Sequence, residues 1–87
     1  MAHDTKYGKV TTEFGNLGED EPVVVFRARD VLLQDVLSFY RQKCAQIGSP
    51  QKHLDLIHTT EEKVYSWQER NKDKVRVPTS ASYKEHG

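Results

Sequence analysis

The chain has 87 residues, enough for one small domain with a thin core, because a chain of this size buries only about 60–65% of its unfolded surface. Hydrophobic residues make up 36% of the sequence and charged residues 30%, which is typical of a soluble protein. Thirteen basic residues balance thirteen acidic ones, so no overall field draws the chain onto nucleic acid or an anionic membrane, and neither is predicted as a partner.

The first two predicted elements are a flexible N-terminus and a strand. Residues 1–7 are polar and are expected to be frayed. In residues 8–14, polar and apolar side chains alternate, with Val10 and Phe14 on the same face, which predicts a half-buried strand. Two glycines, an asparagine and a proline in residues 15–22 predict a loop.

The second predicted strand covers residues 23–29, where β-branched and aromatic residues follow a proline. Apolar side chains lie on both of its faces, with Val24 and Phe26 on the same side. Two helices in so short a chain cannot cover both faces. The sequence therefore predicts a homo-oligomer with Val24 and Phe26 in its interface. Asp30 ends the strand and is expected to cap the N–H groups of the next helix.

A first helix is predicted over residues 31–47, because apolar residues recur there at helical spacing. The apolar stripe consists of Leu33, Val36, Leu37, Tyr40, Cys44 and Ile47, widened by Leu32 and Phe39. Gly48 is expected to end the helix in the left-handed conformation. Ser49 as N-cap and Pro50 in the first turn then start a second helix, which predicts an antiparallel helical hairpin.

The second helix is predicted over residues 50–71. Thr59 and Glu62 match a capping box, so two shorter helices remain an alternative to a continuous one. Residues 74–77 alternate and could add a short last strand. The predicted fold is α+β in the order β-β-α-α: a two- to three-stranded antiparallel sheet packed by the helical hairpin. One domain is expected over residues 8–78, followed by a flexible tail over 79–87.

Arg27 and Arg29 lie on one face of the second predicted strand. Guanidinium groups match phosphate and carboxylate bidentately, so the pair could bind an anionic ligand, with Tyr65 or Trp67 stacking on a base. The alternative is that the two arginines form surface ion pairs with Glu13, Asp20, Glu21 or Asp35. Asp30 weakens the ligand hypothesis, because its carboxylate already occupies the helix N-terminus that an anion would prefer.

The sequence predicts no enzyme, cofactor or metal site. It contains no glycine-rich phosphate loop, no Gly-x-Ser-x-Gly and no His-Glu-x-x-His. His53 and His58 are five residues apart, which separates them by about 140° around a helix, so they do not share a face as metal ligands would. Cys44 lies on the apolar stripe and is expected to pack in the core.

Residues 18–30 (GEDEPVVVFRARD), followed by an amphipathic helix, resemble a recurring pattern in short uncharacterised proteins of phages and prophages. The likeness covers roughly residues 8–70 and includes no catalytic motif. It implies a compact accessory protein, of the anti-defence kind, that blocks a host protein or captures a small signalling molecule.

The sequence begins with no basic segment followed by an apolar run, and its single cysteine cannot form an internal disulfide. We therefore expect a cytoplasmic protein, in the host cytoplasm if a phage encodes it. Two functions stay open. The first is a non-enzymatic oligomer that sequesters a nucleotide-like small molecule. The second is a protein-interaction module that inhibits or bridges a host protein, or a structural component of a larger assembly.

Overall fold

The computed structural model describes residues 2–78. An antiparallel pair of strands, β1 (Ala2–Asp4) and β2 (Gly8–Val10), is followed by two packed helices, α1 (Leu33–Gln46) and α2 (Gln51–Arg70), and by a 3-10 turn over Lys72–Lys74. The predicted α+β class and the order β-β-α-α are confirmed. Residues 2–26 and 27–78 form two compact units. The predicted tail over 79–87 lies outside the described residues.

The N-terminal unit is built on β1, within the segment that was expected to be frayed. Asp4 explains the difference, because its buried carboxylate accepts the backbone N–H groups of Lys6 at 2.7 Å and Tyr7 at 2.8 Å. These bonds close the turn between β1 and β2, which places Ala2 opposite Val10. Strand β2 ends at Val10, so the predicted strand over residues 8–14 is shorter than expected.

The predicted strand over residues 23–29 is wrong. The chain runs beside the free edge of β1 for a single parallel bridge between His3 and Pro22, where the Val23 N–H donates to the His3 carbonyl at 3.0 Å. The next outward N–H, that of Val25, donates to the Asp4 carboxylate at 2.6 Å instead of to a strand carbonyl. The ladder stops there, because a side chain has taken the donor that would have extended it.

The corner before α1 is a turn in which the Asp30 N–H donates to the Arg27 carbonyl at 2.9 Å. Asp30 does not cap α1 as predicted: its carboxylate accepts the N–H of Leu32 at 2.8 Å, but Leu32 is itself the N-cap, and no side chain caps the helix. The predicted last strand is reduced to one parallel bridge between Asp30 and Arg76.

The helical hairpin agrees closely with the prediction. Gly48 has φ +82° and ends α1, and the Ser49 N–H donates to the Cys44 carbonyl at 2.9 Å, as in a Schellman cap. Pro50, not Ser49, is the N-cap of α2. Helix α2 is continuous through Thr59, so the alternative of two shorter helices is wrong.

The helices pack along a seam. On each helix the residues that face the other helix recur at alternating intervals of three and four positions, as in a coiled coil. The buried members of the seam are Leu33 and Cys44 on α1 and Ile57, Val64 and Gln68 on α2. Beside the seam, the Arg41 guanidinium binds the Glu61 carboxylate through two nitrogens, with Nε–Oε1 2.5 Å and Nη2–Oε2 3.4 Å. This ion pair raises the pKa of Arg41.

Candidate functional site

The two arginines of the predicted anion site do not form a fork. Arg27 is exposed and Arg29 is half-buried, and the Arg29 carbonyl accepts the N–H of Arg76 at 2.8 Å. The backbone at these two residues therefore forms a turn and a bridge. It does not form a strand in which both side chains would point to the same face. Within residues 2–78 the ion pairs are Arg41–Glu61, His58–Glu62 and Lys72–Glu69, so the pairing proposed for Arg27 and Arg29 is not seen there either.

Tyr65 and Trp67 lie on different sides of α2. Two residues along a helix correspond to a rotation of about 200°, so the two rings cannot enclose one base. Tyr65 lines a small open cavity of about 300 Å³ together with Gln34, Glu61, Glu62 and Ser66. Two carboxylates in its lining disfavour a phosphate group there.

Val24 and Phe26, the predicted oligomer interface, are exposed by 74% and 48% respectively. Their exposure is a consequence of the missing strand, since no sheet orients them towards a common face. Both belong to the N-terminal unit. Their role in an oligomer stays a prediction.

Cys44 is buried in the seam, as expected. The neighbouring Cys44 thiol raises the pKa of Tyr40, whose ring meets that of His53 edge-to-face at a centroid distance of 6.1 Å. No group of three or more histidine, cysteine or acidic side chains placed to hold a metal ion occurs in the part of the chain from 2 to 78.

An open, apolar concave surface of about 470 Å³ lies on α1, next to the side of the helix that packs against α2. We call it the α1 face; it is lined by Leu32, Asp35, Val36, Phe39, Tyr40 and Lys43. Leu32 is 49% exposed, Phe39 61% and Tyr40 50%. The apolar members of the α1 face all belong to the predicted apolar stripe of the first helix. The width of the stripe was the available signal, because one partner helix cannot cover apolar residues spread over so much of a helix.

Gln68 is a residue that sequence reasoning missed. Its buried side-chain amide nitrogen donates to the carbonyls of Ala28 at 2.8 Å and Asp30 at 3.1 Å, and its oxygen accepts from Gln34. One side chain thus ties the corner before α1 to the C-terminal half of α2. A lone glutamine on a helix gives no local signal of such a role.

Comparisons were made with protein-family models, with curated proteins and with solved structures. None of the three found a match. The resemblance to phage accessory proteins therefore stays a prediction. No helix within residues 2–78 is both long enough and apolar enough to cross a membrane.

Proposed function

We propose that this chain is a non-enzymatic protein-interaction module that uses the α1 face to bind another protein chain. The observation that carries the proposal is the apolar composition of that face on a helix whose adjacent side, about 100° around the helix axis, is already packed against α2. Aromatic and aliphatic side chains that stay in water on a folded helix leave binding free energy available for a partner.

The size of that free energy can be bounded from the exposed side chains. Fully burying a side chain such as leucine or phenylalanine contributes about 1.5–3 kcal/mol relative to leaving it exposed. Leu32 and Phe39 are each about half exposed. Covering them therefore contributes about 0.7–1.8 kcal/mol per residue, before the contributions of Val36 and Tyr40.

The charges at the rim support a protein partner over a lipid surface. Asp35 and Lys43 carry opposite signs, so the face has no net charge with which to attract anionic headgroups. The Lys43 ammonium lies 5.4 Å from the centre of the Phe39 ring. A small apolar centre with charged residues at its edge is the usual anatomy of a protein-binding surface.

The hypothesis of a nucleotide-like ligand has less support. It requires Arg27 and Arg29 to converge with an aromatic ring, and the cavity beside Tyr65 is lined by Glu61 and Glu62 instead. It stays a prediction that a thermal-shift panel of nucleotides can test.

Site-specific photo-crosslinking in cells that express the full chain tests the proposal. The crosslinking amino acid benzoylphenylalanine replaces Phe39 in one variant and Tyr65 in a matched control, since Tyr65 is a helical aromatic of similar exposure, 54%. We expect ultraviolet light to produce a covalent product with a second protein chain from position 39, and far less from position 65. Adding Val36→Glu to the position-39 variant should remove the product while the helical circular dichroism stays unchanged. Equal products from both positions, or links only within one chain, would refute the proposal.

A further inference from the structure

We infer that the partner of the α1 face is a second copy of this chain, bound antiparallel about a two-fold axis that passes beside Phe39. The inference rests on the proposed function and adds the identity and orientation of the partner. Its basis is the order of charge along the face, which is self-complementary in one orientation only.

Asp35 and Lys43 lie at equal distances from Phe39. Each is four residues away, which is about 6 Å along the helix axis, in opposite directions. The three residues form a single i±4 ridge, and in the commonest class of helix packing such ridges of two helices run alongside each other. When the second helix runs antiparallel, Asp35 of one copy lies level with Lys43 of the second copy, and the reverse pair forms by symmetry.

Two apolar contacts fit the same symmetry. Phe39 meets Phe39 of the second copy at the axis, and aromatic pairs of this kind are favourable in offset or edge-to-face arrangements. Ile47 at the end of α1, 83% exposed, lies level with Val31 of the second copy, which is 45% exposed. A parallel arrangement would instead bring Asp35 against Asp35 and Lys43 against Lys43.

The charge of the whole chain presents no obstacle, because thirteen basic and thirteen acidic residues leave no net repulsion between copies. Helix α1 has 14 residues and is therefore about 21 Å long. Two helices of this length bury less than the roughly 1,200 Å² that marks the lower limit of standard interfaces. We therefore expect a reversible dimer whose population depends on protein concentration.

Charge reversal tests both the partner and the orientation. Asp35→Lys and Lys43→Asp each place like charges across the axis and should weaken dimerisation at least tenfold in sedimentation equilibrium of the full chain. The double variant restores opposite charges and should recover most of the affinity. Eight residues separate the two positions, too far for a direct contact within one helix, so recovery can arise only between copies. Asp55→Lys makes the same change on an exposed position of α2 and should leave the affinity unchanged.

The outcomes separate this inference from the proposed function. A chain that stays monomeric at hundreds of micromolar overturns the inference, and so does a dimer that responds equally to all four variants. If the chain is monomeric while position 39 still crosslinks to a different protein, the proposed function holds and the self-partner is excluded. If position 39 links to no protein chain, both fail. Circular dichroism of each variant checks that α1 and α2 are still folded.

Discussion

Replacing Gln68 should show how much of the stability of the second unit depends on one buried side-chain amide. Its side chain is only 8% exposed and forms three hydrogen bonds, to Ala28, Asp30 and Gln34. Gln68→Met keeps the length and much of the volume of the side chain but removes its donor and acceptor. The Ala28 and Asp30 carbonyls then lose this donor.

The expected magnitude follows from the number of bonds. A typical intramolecular hydrogen bond contributes about 0.5–1.5 kcal/mol net, so three bonds lost together predict a destabilisation of about 1.5–4.5 kcal/mol. Whole-chain stability at this length is expected to be about 4–13 kcal/mol. Trp67 is the only tryptophan in the chain and lies beside Gln68 on α2, so its fluorescence during urea unfolding measures the change directly.

Gln68→Glu gives a sharper version of the same test. The two groups that face the amide nitrogen are both carbonyl oxygens, so the carboxylate oxygen that replaces this nitrogen meets only acceptors, while the other oxygen keeps the Gln34 donor. Its pKa in the folded protein should rise above the value of about 4.3 in the unfolded chain. Because the folded pKa is raised, the variant is least stable above that pKa, and it regains stability as the pH falls and the carboxyl group becomes a donor.

Gln42→Glu on the exposed side of α1 is the matched control and should show neither effect. If Gln68→Met stays within about 0.5 kcal/mol of the parent, as surface substitutions usually do, the proposed tie between the corner and α2 is refuted. The same holds if the destabilisation by Gln68→Glu does not depend on pH.

Three further predictions concern Asp4, the Arg41–Glu61 ion pair and the hypothesis of a nucleotide ligand. Burial alone would raise the pKa of Asp4, but hydrogen bonds from the backbone N–H groups of Val25, Tyr7 and Lys6 outweigh burial and lower that pKa. The ionised carboxylate therefore stabilises the fold above pH about 3.8, and this stability is lost as the pH falls through the folded pKa. Asp4→Ala should cost at least the roughly 1.5–3 kcal/mol of one charged hydrogen bond and speed amide exchange at Val25, with Glu13→Ala at an exposed position as control. A double-mutant cycle of Arg41→Met and Glu61→Gln should give a stabilising coupling free energy that becomes smaller in high salt. A coupling free energy that salt does not change would contradict an electrostatic pair. If Arg27 and Arg29 bind a nucleotide, at least one member of a panel of mono-, di- and cyclic nucleotides should raise the melting temperature. Arg27→Ala and Arg29→Ala should then each lose about 1.5–3 kcal/mol of binding free energy. No shift in melting temperature across the panel excludes that ligand class.

The helical hairpin could be predicted because its signals are local. Gly48 requires a left-handed backbone at the end of α1, and the spacing of Leu33, Leu37 and Cys44 marks the packed side within fourteen residues. Both signals can be read from neighbouring positions. No distant residue competes with them for the backbone.

The strand over residues 23–29 could not be predicted correctly for the opposite reason. A β-branched run becomes a strand only where a partner offers hydrogen bonds, and the Val25 N–H is taken by Asp4, 21 residues earlier in the chain. Gln68 poses the same difficulty, because the carbonyls that it binds lie 38 and 40 residues away. Sequence periodicity describes side-chain faces, and it carries no information on which distant polar group reaches a given N–H.

Apolar surface exceeds what two helices can cover, but it lies on α1 as well as on the predicted second strand. Among the described residues the buried hydrophobic side chains are Ala2, Leu33, Cys44, Ile57 and Val64, and only the last four belong to the helical unit. A core this small leaves α1 with two apolar sides, one packed against α2 and the other exposed. The two interface hypotheses can be separated by experiment, since Val24→Asp acts on the N-terminal unit and Val36→Glu on the α1 face. If association depends on Val36 alone, the thin core of the helical hairpin, and not the β-branched run, is what requires a partner.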